Sequence, residues 1–188
     1  MKAFKDRVSL TDVNMEEGVK CIGYQSFSGC TSLERIMLPA SLEEINVISD
    51  SFMDCSNLKS VEVAKGSPFF SSKDGVLYSA DGTTLVLCMP TCVEKFFVPK
   101  GVTTVGQYAF HNRKALREIE IPSTVTEICN GAFRSCESLT SVIIPKGVTS
   151  VANDAFGGCI QLENVSIPDL VLSTMLRQFC RLERAQQK

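Results

Sequence analysis

Ala132-Phe133-Arg134-Ser135-Cys136-Glu137-Ser138-Leu139-Thr140-Ser141-Val142-Ile143-Ile144-Pro145-Lys146-Gly147-Val148-Thr149-Ser150-Val151 decides how the rest of the chain is read. It has the form Ala-Phe-x-x-Cys-x-x-Leu-x-x-Val-x-Ile-Pro-x-x-Val-x-x-Val, and most of the remaining sequence is a copy of it. Phe110, Phe133 and Phe156 are spaced by 23 residues, as are Phe4 and Phe27. Phe52 follows Phe27 by 25, which puts two extra residues within Asn46-Val47-Ile48-Ser49-Asp50. Leu87 takes the anchor place 35 after Phe52 and 23 before Phe110, so one unit carries an insert of 12 residues. A fixed period of this length is the mark of a repeat architecture.

The Leu-x-x-Val-x-Ile part falls into register seven times, at Leu10/Val13/Met15, Leu33/Ile36/Leu38, Leu58/Val61/Val63, Val93/Phe96/Val98, Leu116/Ile119/Ile121, Leu139/Val142/Ile144 and Leu162/Val165/Ile167. Apolar and polar residues alternate there as in a half-buried strand. Pro39, Pro99, Pro122, Pro145 and Pro168 follow, and proline has no amide to donate, so the strands should stop there. A second inward pair comes next: Val19/Ile22, Leu42/Ile45, Val102/Val105, Val125/Ile128 and Val148/Val151. One coil cannot bury its own apolar face, whereas stacked coils can, with strands pairing in parallel about 4.8 Å apart.

The pattern at 132–151 and 155–168 resembles the leucine-rich repeats of the BspA-like family, over roughly residues 3–168. The resemblance implies a right-handed α/β solenoid with a parallel sheet of about seven strands and an irregular or short-helical convex side. It also implies proteins of bacterial or protist surfaces that bind host or microbial macromolecules, some members being intracellular. The insert at about 66–86 looks like an insertion common in that family. Gly75–Tyr78 and Thr84–Leu87 within it read as a hairpin around Asp81-Gly82, with Asp74-Gly75 as another tight turn. Such a hairpin either covers an edge of the core or enlarges a binding surface. Beyond Pro168, Leu170, Leu172, Leu176 and Phe179 interleave with Arg177, Arg181, Glu183 and Arg184, which predicts an amphipathic capping helix over about 169–187. The expected organisation is one domain, 1–188.

With 44% apolar residues the chain can bury a substantial core, and a net charge of −2 leaves no footprint for nucleic acid. No apolar run reaches the length of a membrane-crossing helix. The first residues show no secretory h-region, and Ala3-Phe4 begins in mid-repeat without a polar cap. These points suggest an intracellular protein, or a mature or excised piece of a longer one.

Cys30, Cys55, Cys136 and Cys159, among nine cysteines, share one repeat position, where Cys serves as a small buried hydrophobe. Arg7, Pro90 and Arg113 stand at the equivalent places. Adjacent coils bring Cys30 towards Cys55 and Cys136 towards Cys159, within disulfide range, but free thiols are expected. Cys88 and Cys92 form a lone Cys-x-x-x-Cys. With one His and no zinc spacing, neither a metal nor any other cofactor is expected. His111 is expected to be exposed, no catalytic motif appears, and no enzymatic activity is expected.

Between the inward residues of each strand two side chains point outward. They are Asp12/Asn14, Arg35/Met37, Ser60/Glu62, Lys95/Phe97, Glu118/Glu120, Ser141/Ile143 and Asn164/Ser166, expected on one continuous sheet face. The expected partner-binding residues are Arg35, Met37, Glu62, Lys95, Phe97, Glu118, Glu120, Ser141, Ile143 and Asn164. Met37, Phe97 and Ile143 are apolar there without a core reason, and Glu62, Glu118 and Glu120 add acidity. Asn164-Val165-Ser166 matches a glycosylation sequon, which matters only in a eukaryotic secretory route. The expected function is a protein-interaction module of a cell-surface or secreted protein, binding a protein or other macromolecule. An intracellular scaffold and a structural spacer are the alternatives.

Overall fold

The computed structural model describes residues 2–46, 51–89, 94–168 and 171. The chain divides into two compact units, Met1–Thr91 and Cys92–Lys188. Each is a stack of short coils, and strands are numbered below in chain order.

In the first unit β1 (Asp12–Asn14), β3 (Arg35–Leu38) and β5 (Ser60–Val63) form a three-stranded parallel sheet. Val13, Ile36 and Val61 stand opposite one another, as the repeat register requires. In the second unit β9 (Lys95–Phe97), β11 (Glu118–Glu120), β13 (Ser141–Ile143) and β15 (Asn164–Ser166) form a four-stranded parallel sheet. Phe96, Ile119, Val142 and Val165 are in register there. The seven expected strands are therefore present, but in sheets of three and four rather than in one.

The insert lies between β5 and β9 in the chain. It folds as an antiparallel meander of β6 (Phe70–Lys73), β7 (Val76–Ser79) and β8 (Thr84–Cys88). The amide of Val63, which points away from β3, donates to Ser72 Oγ at 3.0 Å, so a serine hydroxyl takes the bond that a further parallel strand would otherwise accept. Leu77 and Leu87 join Leu58 and Val61 in one buried cluster. The meander thus covers an edge and extends the core. The hairpin reading missed β6, because Phe-Ser-Ser-Lys lacks apolar alternation. Asp74 and Gly75 both have positive φ, 52° and 75°, the requirement of a two-residue hairpin turn that Asp-Gly meets at low cost.

A second parallel ladder follows the prolines. β2 (Cys21–Ile22) pairs with β4 (Glu44–Ile45) in the first unit. β10 (Thr104–Val105), β12 (Glu127–Ile128) and β14 (Ser150–Val151) pair in the second. Their inward residues are buried. The carbonyls of Pro99, Pro122 and Pro145 accept the amides of Val102, Val125 and Val148 at 3.2, 3.1 and 3.0 Å, turning the chain between the ladders. Val171 donates to Pro168 O in the same way and is buried. Apart from Val171, the helix expected over about 169–187 lies outside the described residues, and the regular elements that are described are all strands.

The aromatic step stacks as well. Phe4, Phe27 and Phe52 lie ring on ring at 5.2 and 5.6 Å, and Phe110, Phe133 and Phe156 at 5.0 and 5.1 Å. Small buried residues (Ser51, Ala132 and Ala155) give the backbone room to pair, with Phe27 N–H on Ser51 O at 2.9 Å and Phe133 N–H on Ala155 O at 2.7 Å. Two residues after each ring the chain turns left-handed, at Asp6, Gly29, Asp54, Asn112, Ser135 and Gly158. Gly, Asn and Asp tolerate that conformation best, which accounts for five of the six.

Candidate functional site

Two shallow depressions lie on the outward sides of the strand sheets. The first, about 310 Å³, is lined by Asp12, Asn14, Arg35, Met37 and Glu62. Parallel register sets Asp12 beside Arg35, and Arg35 Nε donates to Asp12 Oδ1 at 2.7 Å. That bond holds the Asp12 carboxyl below the usual carboxylate range and the Arg35 guanidinium above its own. Met37, expected exposed, is half-buried between its neighbours.

The second depression, about 410 Å³, is lined by Lys95, Glu118, Glu120, Ser141 and Ile143 together with the inward residues beneath them. Register places Lys95, Glu118, Ser141 and Asn164 in one row across the four strands. Lys95 Nζ lies 2.7 Å from Glu120 Oε1 and 3.2 Å from Glu118 Oε2, and 5.0 Å from the centre of the Phe97 ring. Its bonds to Glu120, then Glu118, hold the ammonium above the usual lysine range. Phe97 is 58% exposed and Ile143 69%. The ten residues singled out from sequence thus fall into two groups. Arg35, Met37 and Glu62 belong to the first unit, and Lys95, Phe97, Glu118, Glu120, Ser141, Ile143 and Asn164 to the second.

The 23-residue spacing recurs in ion pairs away from these faces. Lys20 Nζ meets Glu43 at 2.6 Å and Lys114 meets Glu137 at 3.0 Å. Exposed pairs of this kind contribute about 0–1 kcal/mol each, so they decorate the stack rather than hold it.

The BspA type leucine rich repeat region, in six copies, matches residues 1–75 and 87–183. The chain belongs to this family. A leucine-rich repeat protein from Eubacterium ventriosum is 28% identical, the match covering 82% of this chain and 41% of that one, with a TM-score of 0.71. A leucine rich cell surface protein from Faecalibacterium prausnitzii is also 28% identical, covering 90% of this chain and 56% of that one, TM-score 0.58. The pneumococcal vaccine antigen PcpA shares the fold at 22% identity, covering 86% of this chain and 52% of that one, TM-score 0.62. The chain spans about half the length of these solved structures. No curated protein matches it.

Within the BspA type repeat the cysteine has a defined job. Cys30, Cys55, Cys136 and Cys159 are buried free thiols. Each donates its S–H to the carbonyl of the anchor phenylalanine one coil earlier, at 3.0, 3.0, 3.0 and 3.1 Å, on Phe4, Phe27, Phe110 and Phe133. The expected free thiols are present, and the bond to the carbonyl explains why a thiol rather than an alanine fills the place. Contact with Cys159, then burial, pushes the Cys136 thiol up, and burial does the same for Cys30. Arg113, at the equivalent position, is buried too. Cys88, by contrast, is disulfide-bonded, which the lone Cys-x-x-x-Cys spacing did not reveal.

His111 corrects another expectation. It is half-buried and meets Tyr108 edge to face at 5.5 Å, in a turn where Tyr108 has a φ of 55° and its carbonyl accepts the His111 amide at 3.0 Å.

A labelling experiment reads the thiols directly. Cys21 is exposed, whereas burial, then Glu127, pushes the Cys129 thiol up to about 11. The thiolate is the nucleophile, so at mildly alkaline pH iodoacetamide should modify Cys21 first among the free thiols of the described residues. Cys30, Cys55, Cys129, Cys136 and Cys159 should react only after denaturation, as read by peptide mass spectrometry. Rapid modification of Cys136 in the folded chain would contradict its bond to Phe110 O.

Proposed function

We propose that this chain is a non-enzymatic recognition module, part of a protein displayed on or secreted from a bacterial cell. It binds a macromolecular partner through the outward side chains of its strand sheets. The observation that carries the reading is the pair Phe97 and Ile143, large apolar residues held in the open on a sheet face with no packing reason to be there. Around them the charged cluster of Lys95, Glu118 and Glu120 gives the face polar specificity. In the first unit Arg35, Met37 and Glu62 hold the corresponding repeat positions on that unit's own sheet. Repeat proteins concentrate binding on such faces because each coil offers one more row of variable positions without disturbing the core.

The cell-surface part leans on the Faecalibacterium prausnitzii protein, and on Cys88, since disulfides persist in oxidising surroundings. The free thiols, Cys21 exposed among them, favour a cytoplasmic scaffold as the second reading. Protease shaving of intact source cells separates the two. Release of peptides from 60–120 before lysis supports display, and release only after lysis retires it.

The face itself is tested by immobilising the wild-type chain and the double variant Phe97→Asp/Glu118→Lys. Both are exposed to an extract of cell-surface and matrix proteins. Partners bound by the wild type should be lost at least tenfold by the variant, with circular dichroism unchanged. A partner captured equally by both would place binding elsewhere.

A further inference from the structure

We infer that the outer face of the β9–β11–β13–β15 sheet takes a polypeptide segment presenting a lysine or arginine beside an apolar side chain. This rests on the recognition-module reading and adds the chemistry of the partner. The charged outward residues of that face are Lys95, Glu118 and Glu120, so one positive against two negative charges leaves −1, while Phe97, Ser141, Ile143, Asn164 and Ser166 are neutral.

The two carboxylates and the aromatic ring already surround a cation, the protein's own. Lys95 Nζ sits 2.7 Å from Glu120, 3.2 Å from Glu118 and 5.0 Å from the Phe97 ring centre. Carboxylate oxygens and the face of an aromatic ring are the groups that recognise ammonium and guanidinium ions. One ammonium balances one of the two carboxylate charges, and an incoming cation balances the other.

The remaining chemistry selects against other occupants. An anionic segment would meet two carboxylates and a lysine already engaged by both. A wholly apolar segment would strip water from three charges and return nothing for it. A segment with a cation next to an aliphatic side chain answers both features, the charge meeting Glu118 and Glu120 and the aliphatic group covering Phe97 or Ile143, which are 58% and 69% exposed. Docking also excludes water, so the charge pairs gain strength over their solvated state.

Lys95 makes the inference testable by sign. For a cationic occupant Lys95 is a competitor, and for an anionic one it is a contact. The full chain and its Lys95→Met, Glu120→Gln and Phe97→Ser variants are titrated against short fluorescein-labelled peptides of alternating lysine and leucine, glutamate and leucine, or serine and leucine. Binding is followed by fluorescence anisotropy at low and high salt. The lysine peptide should bind best and weaken with salt. Lys95→Met should tighten it about fivefold, Glu120→Gln should loosen it about as much, and Phe97→Ser should loosen it further.

If Lys95→Met loosens binding, or the glutamate peptide is preferred, the cationic partner is refuted. The face reading then survives on the loss caused by Phe97→Ser. Lysine-peptide binding indifferent to Phe97→Ser refutes both. Failure of all three peptides to bind refutes the partner chemistry alone, the face being judged by its own double variant.

Discussion

Phe133→Ala is expected to lower stability by about 3–5 kcal/mol, the usual cost of emptying a buried aromatic site. Phe133 is 0% exposed and lies between two rings, 5.0 Å from Phe110 and 5.1 Å from Phe156. Removing it takes away its own burial and opens a gap in the column that neither neighbour can readily close, because Phe110 N–H is tied to Ala132 O at 2.7 Å and Ala155, next to Phe156, is tied through its carbonyl to the amide of residue 133 at 2.7 Å. A folded domain has only about 5–15 kcal/mol in hand, so the variant should unfold at markedly lower urea. The chain contains no Trp, which makes circular dichroism the natural probe. Phe4→Ala provides the internal comparison. Phe4 is 47% exposed and stacks on Phe27 alone at 5.2 Å, so its loss should cost roughly 1 kcal/mol. Equal effects at the two positions would mean that the rings do not form a load-carrying column. A loss below about 1 kcal/mol at Phe133 would mean that the repeat register is wrong.

The same contrast shows which features a sequence of this kind exposes and which it hides. The strand positions were legible because burial repeats: Val13, Ile36 and Val61, and likewise Phe96, Ile119, Val142 and Val165, pair as the triplets require. Outward positions follow from the same alternation, which is why the sequence alone marks Phe97 and Ile143 as exposed. The second ladder was not read as strand, since two residues such as Glu127–Ile128 are too few to show a period. The cover on the edge of β5 was hidden for a different reason, since the Ser72 hydroxyl meets the Val63 amide through a tertiary contact with no local signature. The pairing of Lys95 with both Glu118 and Glu120 needs side-chain geometry, although the row containing Lys95 and Glu118 follows from spacing alone. One signal was available and unused, the run of Asp, Gly, Asn and Ser two residues after each phenylalanine, which marks the left-handed turn.

Gly147 and Gly101 occupy the same place in their repeats, after Pro145 and Pro99, and are glycines for different reasons. Gly101 has φ of +108° and open space around it, so its lack of a side chain serves conformation. Gly147 has no such φ, but a Cβ there would lie 2.4 Å from the carbonyl oxygen of Ser123, a backbone atom of the preceding coil. A backbone carbonyl cannot swing aside as a side-chain tip can, and Val125, two residues on, is tied by its amide to Pro122 O at 3.1 Å. The added methyl must therefore push neighbouring coils apart at a point where Thr149 N–H and Thr126 O hold them together at 2.9 Å. Gly147→Ala is expected to cost about 2–3 kcal/mol, the upper part of the range for overpacking, because the atom met is backbone. Gly101→Ala should cost about 1–2 kcal/mol, the penalty for an L-residue in a left-handed conformation. Urea unfolding of the two variants beside the wild type ranks them. If Gly101→Ala proved the more damaging, coil spacing would be more compliant at this turn than the pairing of Thr149 with Thr126 implies.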